Sequence, residues 1–191
     1  MKKESVTNQQ IVLYIDKLTR SLGGVRKDIP PKLMDKLRKL FDEKRIIECV
    51  DIVKNYLNIK NQVMVDFQNS LHSESDFCGN KIIAQINAPP ALPFWGLVGF
   101  YQIKLILRLD WREILNGSCD DFLFIVSHEF CHFILQAIRS PLQESEIATD
   151  LTAMILGFSQ PALASSKNLS LLNKEQMIFA QKIILEKAKL L

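Results

Sequence analysis

One stretch restricts this chain more than any other: Val126-Ser127-His128-Glu129-Phe130-Cys131-His132-Phe133. Apolar residues recur around it at helical spacing, and the segment reads as a helix ending near Arg139. Ser118 or Asp120 can cap its start, and Asp121 suits its first turn. On such a helix His128 and His132 lie one turn apart on one face, with Glu129 beside that face. The chain has three histidines in all, so two of them bracketing a glutamate at this spacing is a specific arrangement.

Two imidazoles one turn apart can close on a single metal ion, and a neighbouring carboxylate can then act on a coordinated water. This is the His-Glu-x-x-His pattern of zinc hydrolases, with Glu129 as general base. The plainer alternative is an amphipathic helix on which both histidines are ordinary surface or core residues. Glu129-x-x-His132 is also the half-site of di-iron helical bundles, which need a second copy on another helix. The remaining histidine, His72, has Asn69 where that copy needs a glutamate, so the di-iron reading fails. A purely structural zinc site is disfavoured, because such sites are closed by four Cys or His ligands.

The whole-chain properties fit a globular protein. Its 191 residues suit one domain, or one domain with a helical region at 1–57 ahead of the remainder at 58–191. The net charge of +3 is spread over mixed signs, without the concentrated basic stripe of a nucleic-acid binder. No segment looks like a signal peptide or a membrane span. Neither nucleic acid nor a membrane is therefore expected as a partner, and no feature selects an oligomeric state. Cys49, Cys78, Cys119 and Cys131 form no Cys-x-x-Cys pair, which points to reduced thiols and a cytoplasmic location. Cys131 falls off the histidine face and is read as packing.

Along the chain, periodicity predicts a helix over 8–22 closed by Gly23-Gly24, then a helical pattern over 31–57 that can break near Lys44. The basic residues there alternate with acids and read as a solvated face. Strands are expected at 63–67, 81–86 and 102–109. A polar loop over 69–80 carries His72, and a proline-broken loop or short edge segment precedes residue 102. In the last strand Ile103, Leu105, Leu107 and Leu109 share one side. A short helical turn is expected at 111–115. Ser140-Pro141-Leu142-Gln143 reads as the start of a helix running to about Leu156. Residues 158–171 look irregular, and Asn173 opens a C-terminal helix. An extended substrate could pair with a sheet edge, for which the 102–109 and 81–86 strands are the candidates.

A catalytic zinc site needs a third protein ligand. The residues alone offer Glu146, Asp150 and Glu144. Glu146 and Asp150 share one helix face, and Glu144 lies nearly opposite. A tight hairpin at Ser140-Pro141 would set Asp150 opposite Cys131 and His132, with Glu146 roughly 5 Å nearer the connection. Taken with His128, Glu129 and His132, the pattern Glu146-x-x-x-Asp150 resembles the gluzincin metallopeptidases, the thermolysin-like clan. The likeness covers about residues 53–158 and is specific at those five positions. Compact intracellular members of the ImmA/IrrE type, which act on single regulatory partners, are similar in spacing.

The resemblance implies an α+β, zincin-like fold: a small, mostly antiparallel sheet packed on an active-site helix, with N-terminal and C-terminal helices and residues 58–191 as the metallopeptidase domain. It implies Zn²⁺ held by His128, His132 and Glu146, with Asp150 orienting His128 through its outer ring nitrogen. Glu129 would be the general base of peptide hydrolysis, and the partner a protein or peptide substrate. The alternative function is a zinc-containing regulatory or binding protein with little hydrolysis. Tyr101, Arg108 and His72 are candidates for a further electrophile, and no motif selects among them.

Overall fold

The computed structural model describes residues 6–69, 82–165 and 170–189. Helix α1 (Asn8–Leu22) starts from a Thr7/Gln10 capping box and stops at Gly23, which takes a left-handed conformation. Helices α2 (Pro31–Asp42) and α3 (Ile46–Tyr56) follow. The break between them falls at Lys44, whose φ is 60°. The chain then lays down β1 (Gln62–Gln68), β2 (Ala84–Asn87), a helical turn α4 (Val98–Tyr101), β3 (Lys104–Asp110) and α5 (Trp111–Leu115). The long α6 (Cys119–Ala137) leads to α7 (Glu146–Ala153), a π-helical turn (Met154–Phe158), α8 (Ser159–Ala164) and α9 (Lys174–Ala188). The architecture is α+β. His72, Cys78 and Lys81 lie outside the described residues, as does most of the 69–80 loop.

Four sequence expectations need correction. The sheet is mixed, not mostly antiparallel: its order is β1-β3-β2, with β3 parallel to β1 and antiparallel to β2. The long connection between β1 and β3 allows the parallel pairing, which a tight hairpin would not. It follows that β3 is the central strand and offers no free edge, so β2 is the edge candidate that stands. The loop or edge segment expected over 95–99 runs instead into a helical turn, α4, that buries Phe100. Residues 141–144 form a turn, and α7 begins only at Glu146, where the Ser145 hydroxyl accepts the Ala148 N–H as N-cap. Finally, residues 158–164 are helical rather than irregular, because the π-helical turn lets the chain continue through Gly157 into α8.

Gly157 is the tight point of that turn. Its φ is 101°, and a Cβ there would stand 2.6 Å from the Lys27 carbonyl and 2.7 Å from the Tyr56 hydroxyl. The segment before α2 is stitched to the same place: Arg26 N–H donates to Ile155 O and Ile29 N–H to Gly157 O. The Tyr56 hydroxyl donates to Lys27 O at 2.8 Å.

Helix α6 runs through the middle of the core. Phe122, Leu123, Phe124, Val126, Phe130, Phe133 and Leu135 are all essentially inaccessible. From Asp121 to Ala137 only His128, Glu129, His132 and Gln136 escape burial. At 3.6 residues per turn these four positions form one stripe, so beyond its first two residues the helix meets solvent only along the line that carries the motif. One contiguous buried cluster joins Ile11 of α1, Val53 of α3, Leu107 of β3, Leu151 of α7 and Ile184 of α9 around it.

Candidate metal centre

The stripe on α6 is faced by two elements. On one side lies α7. Because the helical turns of α6 stop at Ala137 and the chain loops through a left-handed Arg139, the first residue of α7, Glu146, comes level with the two histidines. Glu146 Oε2 lies 3.1 Å from His128 Nε2 and 3.4 Å from His132 Nε2. The two Nε2 atoms are 3.0 Å apart. Asp150, one turn further along α7 and buried, places Oδ1 2.8 Å from His128 Nδ1. Glu144 takes no part; it accepts a hydrogen bond from the Gln143 side chain.

The other ring nitrogens settle what the inner ones present. Asp150 is an acceptor, since its second oxygen receives the Ser170 hydroxyl at 2.6 Å and the Leu171 N–H at 3.3 Å. His128 must therefore donate from Nδ1, which leaves a lone pair on Nε2. His132 Nδ1 faces the Thr149 hydroxyl at 3.4 Å, and that hydroxyl donates its own proton to Ser145 O at 3.1 Å. Thr149 thus offers an oxygen lone pair, His132 donates to it, and its Nε2 is bare as well. Two nitrogen lone pairs and a carboxylate oxygen then converge with no donor among them.

That convergence is repulsive unless a positive charge sits within it. With protons as the available cation, burial works against charging His128, but the Asp150 and Glu146 carboxylates outweigh it and push its pKa up to about 10. The same histidines hold the Glu146 carboxyl well below the usual range. A metal ion could meet the same demand. Tetrahedral ligation at about 2.0–2.1 Å separates donor atoms by roughly 3.3–3.4 Å, close to the three separations found. His128, His132 and Glu146 together offer two imidazoles and one carboxylate within 4.8 Å of one another, a donor set suited to zinc.

On the other side of the stripe lies β2. Its Ile86 N–H points away from β3 and donates to Glu129 Oε2 at 2.8 Å. Burial raises the Glu129 pKa; the nearby histidines and the Ile86 N–H pull the other way and do not cancel it. One turn beyond His132, the Gln136 amide donates to Pro89 O at 3.0 Å. The edge strand and the residues after it therefore run alongside the motif stripe. Of the electrophile candidates, Arg108 faces Asp66 within the sheet at 3.7 Å, and Tyr101 packs on Phe100 with Lys60 over its ring.

Sequence reasoning missed four contributors: Thr149, Ser170, Gln136 and the Ile86 backbone. Thr149 had a signal, since it sits three residues beyond Glu146 and one before Asp150 on a helix already assigned to the site. Gln136 had a weaker one, lying at i+4 from His132. Ser170 and Ile86 act across long loops and leave no local trace. No protein-family model, no curated protein and no solved structure matches the chain, so the site is read from its own chemistry.

Proposed function

We propose that the chain is a zinc-dependent peptidase of zincin-like fold, working in the cytoplasm. The observation that carries this is the convergence of His128 Nε2, His132 Nε2 and Glu146 Oε2 within 3.0–3.4 Å of one another, beside Glu129. His128, His132 and Glu146 would hold the ion. When bound, zinc supplies Lewis acidity and brings the pKa of water toward neutrality.

The remaining chemistry belongs to the chain. Asp150 and Thr149 hold the two rings in one tautomer and one orientation. Glu129 is aimed by the Ile86 N–H on one carboxylate oxygen, which leaves the other to take a proton from the attacking water and return it to the departing amine. Burial makes that carboxylate more basic than an exposed one, as a proton acceptor requires. The outward face of β2 offers the Ile86 carbonyl to an extended peptide, which would lie along the stripe between β2 and α7.

The test combines metal analysis with cleavage. Chain purified with zinc should carry one zinc that His132→Ala loses. Glu129→Gln should keep the zinc while cleavage of a peptide library collapses by a factor of 10² or more, roughly. Zinc-free protein, or cleavage unaffected by Glu129→Gln, would sink the reading.

A further inference from the structure

The connection between β2 and β3 carries the most exposed apolar surface of the described residues. Val98 is 74% exposed, Phe94 62% and Leu97 55%, with Trp95 and Tyr101 also open. These side chains project from a short, firmly seated turn. Trp95 and Tyr101 both pack on Phe100, which is buried and stacks on Phe133 of α6 with ring centroids 5.6 Å apart. The exposed apolar residues are thus anchored to the core helix through Phe100.

Its surroundings are cationic. Arg139 lies over the Phe94 ring at 3.9 Å, and Lys60 lies over the Tyr101 ring at 5.9 Å. Lys104 opens β3 three residues after Tyr101, opposite Gln62 of β1. From Ile82 to Leu109 the chain contains no Asp or Glu at all, nor does the stretch from Asn58 to Val65. A protruding apolar tip with aromatic shoulders and a collar of one charge sign suits a partner that is deformable, apolar inside and negative at its surface. A bilayer bearing anionic phospholipid has these properties: aliphatic side chains enter the acyl region, Trp and Tyr sit at the headgroup level, and Lys and Arg meet the phosphates.

We infer that residues 94–101, with Lys60, Lys104 and Arg139, form a peripheral docking surface for anionic membranes. No helix among the described residues is long and apolar enough to cross a bilayer. It does not depend on the zinc reading, although β2 and Gln136 would hold the metal stripe close to the docked face.

The test is co-sedimentation of the full chain with vesicles of phosphatidylcholine alone and of phosphatidylcholine with phosphatidylserine, at moderate salt. The chain should pellet with the phosphatidylserine vesicles, with blue-shifted tryptophan emission that Trp95→Phe largely removes. Leu97→Ser with Val98→Ser should weaken partitioning at least tenfold with unchanged thermal stability. Lys60→Glu with Lys104→Glu should lower it by roughly fivefold or more per cation. Absence of binding to either vesicle, or binding that survives Leu97→Ser with Val98→Ser, would overturn the inference. So would concentration-dependent self-association that the same double change abolishes, since a second copy would then own the patch.

Discussion

Thr149 and His132 are joined through a hydroxyl that is already committed: Thr149 gives its proton to Ser145 O and turns an oxygen lone pair to His132 Nδ1. The second histidine of the motif therefore has its tautomer fixed from the helix that supplies Glu146. Thr149→Val removes the acceptor without changing side-chain volume much. Zinc affinity, measured by competition with a chromophoric chelator, is expected to fall by roughly 10-fold to 100-fold, with Thr149→Ser close to the parent. Equal affinities for the Val and Ser variants would refute the assignment.

Asp150 serves His128 with one oxygen and Ser170 and Leu171 with the other. In Asp150→Asn one of those faces becomes an amide that meets another donor. A buried donor left unmatched costs about 1–3 kcal/mol, and the weakened hold on His128 lowers metal affinity. Urea denaturation of the metal-free protein and chelator competition should both register the change. An effect on metal affinity alone would show that Ser170 and Leu171 contribute nothing to the fold.

Gly157→Ala should be among the most damaging single changes. The added Cβ meets the Lys27 carbonyl and the Tyr56 hydroxyl at under 3 Å, in a backbone conformation that L residues rarely adopt. Strain of that kind and loss of the Tyr56–Lys27 hydrogen bond together amount to about 3 kcal/mol or more. A shift in urea midpoint equivalent to less than about 1 kcal/mol would contradict the described packing.

Asp28 supplies a pH signature away from the metal site. Burial raises its pKa, and hydrogen bonds from the Ser159 backbone and from the Gln160 and Ser159 side chains offset that only in part. A carboxyl with a raised folded-state pKa favours the fold below its unfolded value, and that contribution is lost as pH rises through the folded value. The parent should therefore lose stability relative to Asp28→Asn as pH rises from about 3.9, where the unfolded carboxyl titrates, through the raised folded value. A stability difference that is flat with pH, or that moves the other way, would contradict it.

The helices were legible in the sequence wherever local chemistry sets them. Ser118, one of the two caps offered for α6, the Asn173 cap and the Gly23 stop lie where their residue types require, whereas the Thr7 cap was not read from the sequence. The alternation in β3 correctly put Leu105, Leu107 and Leu109 in the core. Sheet order was not legible, because whether β1 joins β3 in parallel depends on a long connection and not on either strand's pattern. The start of α7 was misplaced for a different reason. Ser140-Pro141 and Ser145 are both acceptable caps, and only packing against α6 chooses between them. That choice matters, because it carries Glu146 level with His128 and His132. Of the cations near the 94–101 turn, Lys60 and Arg139 come from distant stretches of the chain, so their approach to Tyr101 and Phe94 leaves no local trace.

The stitches from Arg26 and Ile29 to the π-helical turn have a bearing on how this chain tolerates trimming. The leading helix packs on α7, and these two backbone links clamp the exit of that same helix. The part of the polypeptide most remote in sequence from the histidines is thus the rear support of the segment that delivers Glu146 and Asp150. A proteolytic nick ahead of Pro30 would leave His128, His132, Glu146 and Asp150 on the chain while freeing a backbone clamp behind the segment that carries the two acids.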